Sequence, residues 1–322
     1  MPTITSAGSW LAAVPAWGER CVRVCGEQVL PALSAALEQL GRPMRIMLYT
    51  DSPELVALAG TLFANRATLE PKAVPVVDGA FMSMSACHQN AMEYAGHGER
   101  VLLLTADMVV SRELLATCEA LAARGVLAVG CVGMRALEGG AGLPETSAGA
   151  SDGGTGGGTA PIGATGRELL AWAWENRHPM TRECTWPEGR SYDVWRMYFE
   201  KGGEVAARVF LPHPIMVVPA GIPINFSPTI DVNLLACFTQ AQTYMITSPE
   251  EGAVIELSPF DKQFNMTTTM RERAESVELH PSCPAFVQVT HQRHRMFFGK
   301  RVVIMGAGGD CGDSEVVERV LG

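Results

Sequence analysis

No stretch of this 322-residue chain approaches the ~20 consecutive apolar residues of a bilayer-spanning helix, so a membrane-spanning protein is not expected. The opening MPTITSAGSWLAAVPAWGERC has no cationic stretch followed by an apolar run, so it does not read as a secretory signal, and a cytoplasmic protein is expected. Charge is scarce at 18%, and its balance of 25 Lys+Arg against 34 Asp+Glu gives a formal net charge of −9. That sign repels nucleic-acid backbones and anionic membrane surfaces, so neither is an expected partner. Aromatic residues make up only 7% of the chain. No G-x-S-x-G elbow, Walker loop or H-E-x-x-H occurs, which leaves esterase, NTPase and zincin chemistry without carriers. The nine cysteines are odd in number and scattered from position 21 to 311, as suits reduced thiols and not a disulfide framework. Cys21 and Cys25 share a face if their segment is helical, but no second close pair completes a metal site, so core packing is the expectation.

What is present is a hydrophobic content of 47%, ample for one large domain or two of about 150 residues. From residue 44 to residue 131 apolar strand-like runs alternate with helical patterns, the signature of a parallel sheet covered by helices. MRIMLYT (44–50) predicts a strand, Asp51-Ser52-Pro53-Glu54 caps the helix after it, and AVPVV (73–77) predicts the next strand. A helix follows from Phe81 to Tyr94, its Met residues expected in the core. RVLLLT (100–105) is the strongest strand pattern, Ser111 is the expected cap of a helix ending at Gly125, and VLAVGC (126–131) reads as strand. Residues 139–166 then hold eleven Gly among 28 residues, which reads as a mobile linker. The expected organisation is an α/β half over 1–136, a Gly-rich loop over 137–166 and a C-terminal half of the same domain over 167–322. In that last half a helix starts near Arg167, strands flank Pro212-His213-Pro214, weaker strand patterns cover 243–247 and 253–257, and RVVIM precedes a short helix from Ser314.

Four constellations carry chemistry. Thr105-Ala106-Asp107 follows the strongest strand, and ligands of open α/β sheets sit at the carboxyl ends of strands, where one carboxylate can hold a cation that bridges a diphosphate; the alternative is a turn Asp. His213, between two prolines, has a backbone suited to fixing an imidazole for a ligand or metal, or is a half-buried turn residue. Asp231, 18 residues further on, is a base, a ligand or a helix cap. The run His291-Gln-Arg293-His294-Arg295 with Lys300 and Arg301 receives an anion such as a diphosphate, or is a solvated face. Finally, Gly306-Ala-Gly308-Gly309-Asp-Cys311-Gly312 imitates a dinucleotide fingerprint after a strand, but Cys311 stands where the third Gly belongs and too few residues remain for a βαβ unit.

Taken together these segments resemble GT-A glycosyltransferases, in particular bacterial GT-A-like proteins. The resemblance rests on Trp17-Gly18-Glu19-Arg20 ahead of the strand ending Tyr49-Thr50-Asp51, on Cys87-His88-Gln89-Asn90-Ala91, on Leu103 to Ser111, on Met134-Arg135 and His178-Pro179, and on His213-Pro214 with Thr229-Ile230-Asp231. It implies a GT-A-like, Rossmann-like, mostly parallel sheet flanked by helices, and a nucleoside-diphosphate sugar as donor. Asp51 would lie near the nucleotide, and Thr105 and Asp107 would stand at the DxD motif of the family. The first acid of that motif is Thr105 here, so one metal-binding carboxylate is replaced. Asp107 and His213 would then hold a divalent cation (Mn or Mg), with Arg293, Arg295 and Lys300 sharing the diphosphate charge. Asp231 and Asp193 are the candidate bases for a saccharide, lipid-linked or protein acceptor. The alternative is a catalytically silent GT-A-like nucleotide-binding or scaffold protein.

Overall fold

A computed structural model describes residues 8–77, 79–138, 159–186, 196–219, 234–260, 292–314 and 317–318. Its centre is a seven-stranded sheet made of β1 (Trp10–Pro15), β2 (Met44–Tyr49), β3 (Ala67–Lys72), β4 (Arg100–Leu103), β6 (Ala128–Cys131), β11 (His213–Val217) and β12 (Thr243–Met245), in the order β12-β6-β11-β4-β1-β2-β3. Within it β11 alone runs antiparallel to its neighbours. The mostly parallel α/β expectation is met. Strands buried on both faces need continuous apolar runs, and WLAAVP is buried at every position, as are the four residues of β4 and of β6.

The helical layers are α1 (Glu19–Val24), α2 (Leu30–Leu40), α3 (Pro53–Leu62), α4 (Ala80–Tyr94), α5 (Leu114–Ala123), α6 (Gly166–Glu175) and α7 (Pro179–Glu183). A π-helical turn, Cys25–Val29, joins α1 to α2. Two smaller sheets complete the architecture. In one, β13 (Val254–Ser258) lies between β5 (Met108–Val110), antiparallel to it, and β7 (Gly133–Leu137), parallel to it. In the other, β14 (Val302–Met305), β10 (Glu204–Val209), β9 (Arg196–Lys201) and β8 (Thr185–Trp186) lie side by side in that order. One apolar core runs from Trp10 through Leu103, Val129 and Ile215 to Ile304.

Local chemistry accounts for most boundaries. Ser52 accepts the Leu55 amide at 3.1 Å and Pro53 opens α3. Thr165 and Glu168 form a reciprocal capping box on α6. Two expectations need correction. The third strand is ATLEPK, paired with β2 on one side only, while the apolar AVPVV after it forms no strand and leaves Val76 99% exposed; an edge strand tolerates Pro71 and the charged residues because its outer edge makes no ladder. Ser111 does not cap α5. Its Oγ accepts the Ala253 amide at 2.9 Å and its own amide donates to Ala253 at 3.0 Å, so it ties β5 to β13, and Glu113 precedes the helix without a side-chain cap.

The order of connections positions the site. From β1 the chain moves to β2 and β3 on one side, then crosses through α4 to β4 on the other side of β1. The carboxyl ends of β1 and β4 therefore flank a topological switch point, where the outgoing loops diverge and leave a crevice.

Candidate functional site

Two loops meet at that crevice. After β1, Gly18 adopts φ 75°, a conformation open to glycine, and turns the chain so that Arg20 on α1 faces the ends of the other strands. After β4, Thr105 and Asp107 occupy the turn into β5. The Thr105 hydroxyl donates to Asp107 Oδ1 at 2.7 Å, and Arg20 Nη1 lies 3.5 Å from Asp107 Oδ2. Arg20 is anchored more tightly elsewhere: Nε donates to Glu138 at 2.6 Å and Nη2 to the Leu257 carbonyl at 2.8 Å. The Leu257 amide in turn donates to the Asp107 carbonyl at 2.8 Å. One guanidinium thus joins the ends of β4, β7 and β13. Burial opposes its charge, but Asp107 and Glu138 outweigh it and the Arg20 pKa is raised. Glu138 is also held by Arg23, whose own pKa is raised chiefly by that bond.

The support beneath the turn is buried. His88 on α4 is wholly enclosed and its Nε2 donates to the Leu104 carbonyl at 2.7 Å, since a carbonyl can only accept. The Leu104 amide donates to Ala13 of β1 at 3.1 Å, so α4, β1 and the β4 end are locked as one unit. Tyr49 bonds Asn90 of α4 at 2.9 Å, and burial raises its phenol pKa well above the usual value. His178 caps α7: Nδ1 accepts the Met180 amide at 3.2 Å and Nε2 donates to the Pro259 carbonyl at 2.9 Å, which fixes the tautomer with its proton on Nε2.

No protein-family model matches the chain, and no curated protein matches it. Among solved structures it is similar to S. aureus TarS 1-349, at TM-score 0.31 and 14% identity over 43% of this chain and 39% of that one. Full-length S. aureus TarS gives a TM-score of 0.29 at 13% identity, covering 43% of this chain and 23% of that one. TarS 1-349 in complex with UDP-GlcNAc gives 0.29 at 14% identity, over 43% and 37%. The chain therefore spans well under half the length of these structures.

Other expected residues fall as follows. Asp51 is exposed after β2, beside the carboxyl end of β1, on the same edge of the sheet as Thr105 and Asp107. His213 is the first residue of β11, antiparallel to β4, so it too lies toward that edge, 6% exposed and paired with Cys131. Among the described residues no three His, Cys, Asp or Glu side chains converge on a point that would hold a metal ion. A cation bound by Asp107 would also meet the Arg20 guanidinium on the same carboxylate, so the described residues do not fit a resident divalent ion. Asp193, Asp231 and the Arg293 side chain lie outside the described residues. Of the remaining cations, Arg295 is half-buried on the helix Gln292–Phe298, whereas Lys300 stands 5.8 Å from the centre of the Tyr244 ring on β12. That strand is the outer edge of the sheet, about 15 Å from β4 at ~4.8 Å per strand. Arg301 bonds Gly309 and Cys311 and lies 3.8 Å from Asp313.

The glycine-rich C-terminal loop does bind an anion, but the anion is the chain's own. Amides of Ala307, Gly308 and Gly309 donate to the Glu204 carboxylate at 3.0, 2.8 and 2.8 Å, and these bonds, led by Ala307, lower its pKa. A Cβ at Gly306 would lie 2.4 Å from that carboxylate, and the residue has φ 87°. Glu204 thus fills the place a phosphate would take and fastens β14 to β10.

Sequence reading named Arg20 only within a resemblance and missed its connecting role. Its partners lie 87, 118 and 237 residues away, beyond any local spacing.

Proposed function

We propose that this chain binds a nucleoside-diphosphate sugar at the β1/β4 switch point and transfers the sugar to an acceptor hydroxyl. The observation that carries the reading is the Thr105–Asp107–Arg20 chain at the carboxyl edge of a mostly parallel sheet, held from below by His88. A carboxylate suits the hydroxyls of a sugar, and a guanidinium suits a diphosphate. The resemblance to GT-A glycosyltransferases in the sequence of the same segments supports it. In the transfer the anomeric carbon–oxygen bond to the diphosphate breaks, a bond to the acceptor oxygen forms, and the acceptor proton passes to a base, for which Asp231 and Asp193 are the candidates. The nucleoside diphosphate leaves with the bonding pair. On this reading Asp51, at the carboxyl end of β2, contacts the nucleoside. Saccharide, lipid-linked and protein acceptors all satisfy this chemistry.

The second reading, a nucleotide-binding protein without turnover, is favoured by one observation: Thr105 stands in place of an acid and Asp107 is already paired with Arg20. Calorimetry with UDP, GDP and their sugars, with Mn²⁺ and with EDTA, followed by product analysis with Asp107→Ala, separates the two. Binding with turnover that Asp107→Ala abolishes is expected. Binding without turnover in the wild type favours the second reading, and no binding by any nucleotide refutes both.

A further inference from the structure

The polar contacts of Arg20 are unequal. Nε and Nη2 are fixed to Glu138 and Leu257 at 2.6 and 2.8 Å, well within hydrogen-bond range. Among the described residues Nη1 reaches only long partners, Asp107 Oδ2 at 3.5 Å and Cys21 Sγ at 4.0 Å. The two firm bonds orient the guanidinium plane, and the third nitrogen is left with the two longest contacts. Its side chain is 32% exposed and that of Asp107 14%, so both are within reach of a small ligand.

On this geometry, and resting on the functional reading above, we infer that Arg20 and Asp107 are placeholders for one another and exchange partners on donor binding. In the free protein each occupies the other's charge. When the donor enters, Nη1 donates to a diphosphate oxygen, and Asp107, still held at Oδ1 by Thr105, accepts hydroxyls of the sugar. Arg20 stays pinned by Glu138 and Leu257 throughout, so it stabilises the charge that grows on the leaving diphosphate with little reorganisation. This gives the diphosphate a cation from α1. It does not draw on the 293–301 run, of which Arg301 is engaged with Asp313 and Cys311 and Lys300 stands over the outer strand β12.

The exchange predicts opposite behaviour for the two residues. Isothermal titration of UDP, GDP, inorganic pyrophosphate, uridine and guanosine, in EDTA, is run on wild type, Arg20→Ala, Arg20→Lys and Asp107→Asn. Arg20→Ala is expected to weaken nucleoside diphosphate and pyrophosphate roughly ten- to a hundredfold, with nucleoside affinity within about twofold of wild type. Asp107→Asn removes a competitor for Nη1 and is expected to leave diphosphate affinity equal or higher. Should Arg20→Ala fail to fold, Arg20→Lys serves: it retains the charge, loses the fork that sets its direction, and is expected to weaken diphosphate alone by about fivefold or more. Equal loss of nucleoside and diphosphate would mark a structural role and overturn the inference, as would an Asp107→Asn variant that binds diphosphate more weakly. Diphosphate binding untouched by either Arg20 variant overturns the inference and leaves the functional reading standing, a wild type that binds nucleotide only with Mn²⁺ overturns the inference alone, and one that binds no nucleotide with or without Mn²⁺ overturns both.

Discussion

Removal of the Asp313 carboxylate is expected to destabilise the fold more than any change at the crevice. Asp313 has a side chain 1% exposed and accepts from Arg208 Nε at 2.8 Å and Nη2 at 2.5 Å, with Arg208 itself 7% exposed. Two charge-assisted hydrogen bonds at ~1.5–3 kcal/mol each give ~3–6 kcal/mol, and truncating one partner of a buried ion pair costs about 3–5 kcal/mol because a charge is left behind. Arg208 Nη1 keeps the Gly299 carbonyl at 2.7 Å and the more distant Phe298 carbonyl at 3.5 Å, so the lower end, about 3 kcal/mol, is expected for Asp313→Ala. That is a large part of the ~5–15 kcal/mol that holds a folded domain. Urea unfolding of wild type, Asp313→Ala and the double variant Arg208→Met/Asp313→Leu tests the reasoning. The double variant removes both buried charges, leaving only the part-exposed Arg301 guanidinium nearby, and is expected within about 1 kcal/mol of wild type. A loss below about 1 kcal/mol for Asp313→Ala, or a double variant as unstable as the single, would refute the claim that an uncompensated charge dominates.

Three other outcomes are expected. Glu204 has a folded pKa below its unfolded value, so its contribution is present above about pH 4.3 and lost as pH falls through the folded pKa; the stability gap between wild type and Glu204→Gln, from urea titrations at pH 7 and pH 3, should narrow at the lower pH, and a constant gap would contradict the amide cradle. His88→Ala leaves the buried Leu104 carbonyl without its donor and is expected to cost about 1–3 kcal/mol and to lower nucleotide affinity, read by urea unfolding and calorimetry. Burial pushes the Cys87 and Cys118 thiols up to about 12, so mass spectrometry should find them unmodified by iodoacetamide at pH 8 in the native protein and alkylated in urea.

How far the sequence reveals this protein differs by element. The segments β2, α3, α4 and β4 are legible because apolar period and local caps agree, as at Ser52 and Pro53. By contrast β1, an interior strand, carries two Ala and ends in Pro15, and nothing local sets WLAAVP apart from a loop until its neighbours β2 and β4 pair with it. AVPVV misleads because hydrophobicity marks burial only when a partner is available, and β2 is already paired with ATLEPK. The site divides in the same way. Thr105 and Asp107 announce themselves by following the strongest strand pattern, whereas Arg20, Glu138 and Leu257 converge only in three dimensions. The C-terminal glycines carry a composition shared by phosphate loops, and only the arrival of Glu204 from β10, about a hundred residues earlier, shows what they hold.

A crystal structure of the protein soaked with the nucleoside diphosphate found to bind by calorimetry reports directly where the donor sits. The expected result places the diphosphate at the carboxyl ends of β1 and β4, with an oxygen within about 3 Å of Arg20 Nη1 and Asp107 parted from it. A nucleotide bound at the Gly306–Gly309 loop, at the helix Gln292–Phe298, or at any place away from the switch point would contradict it.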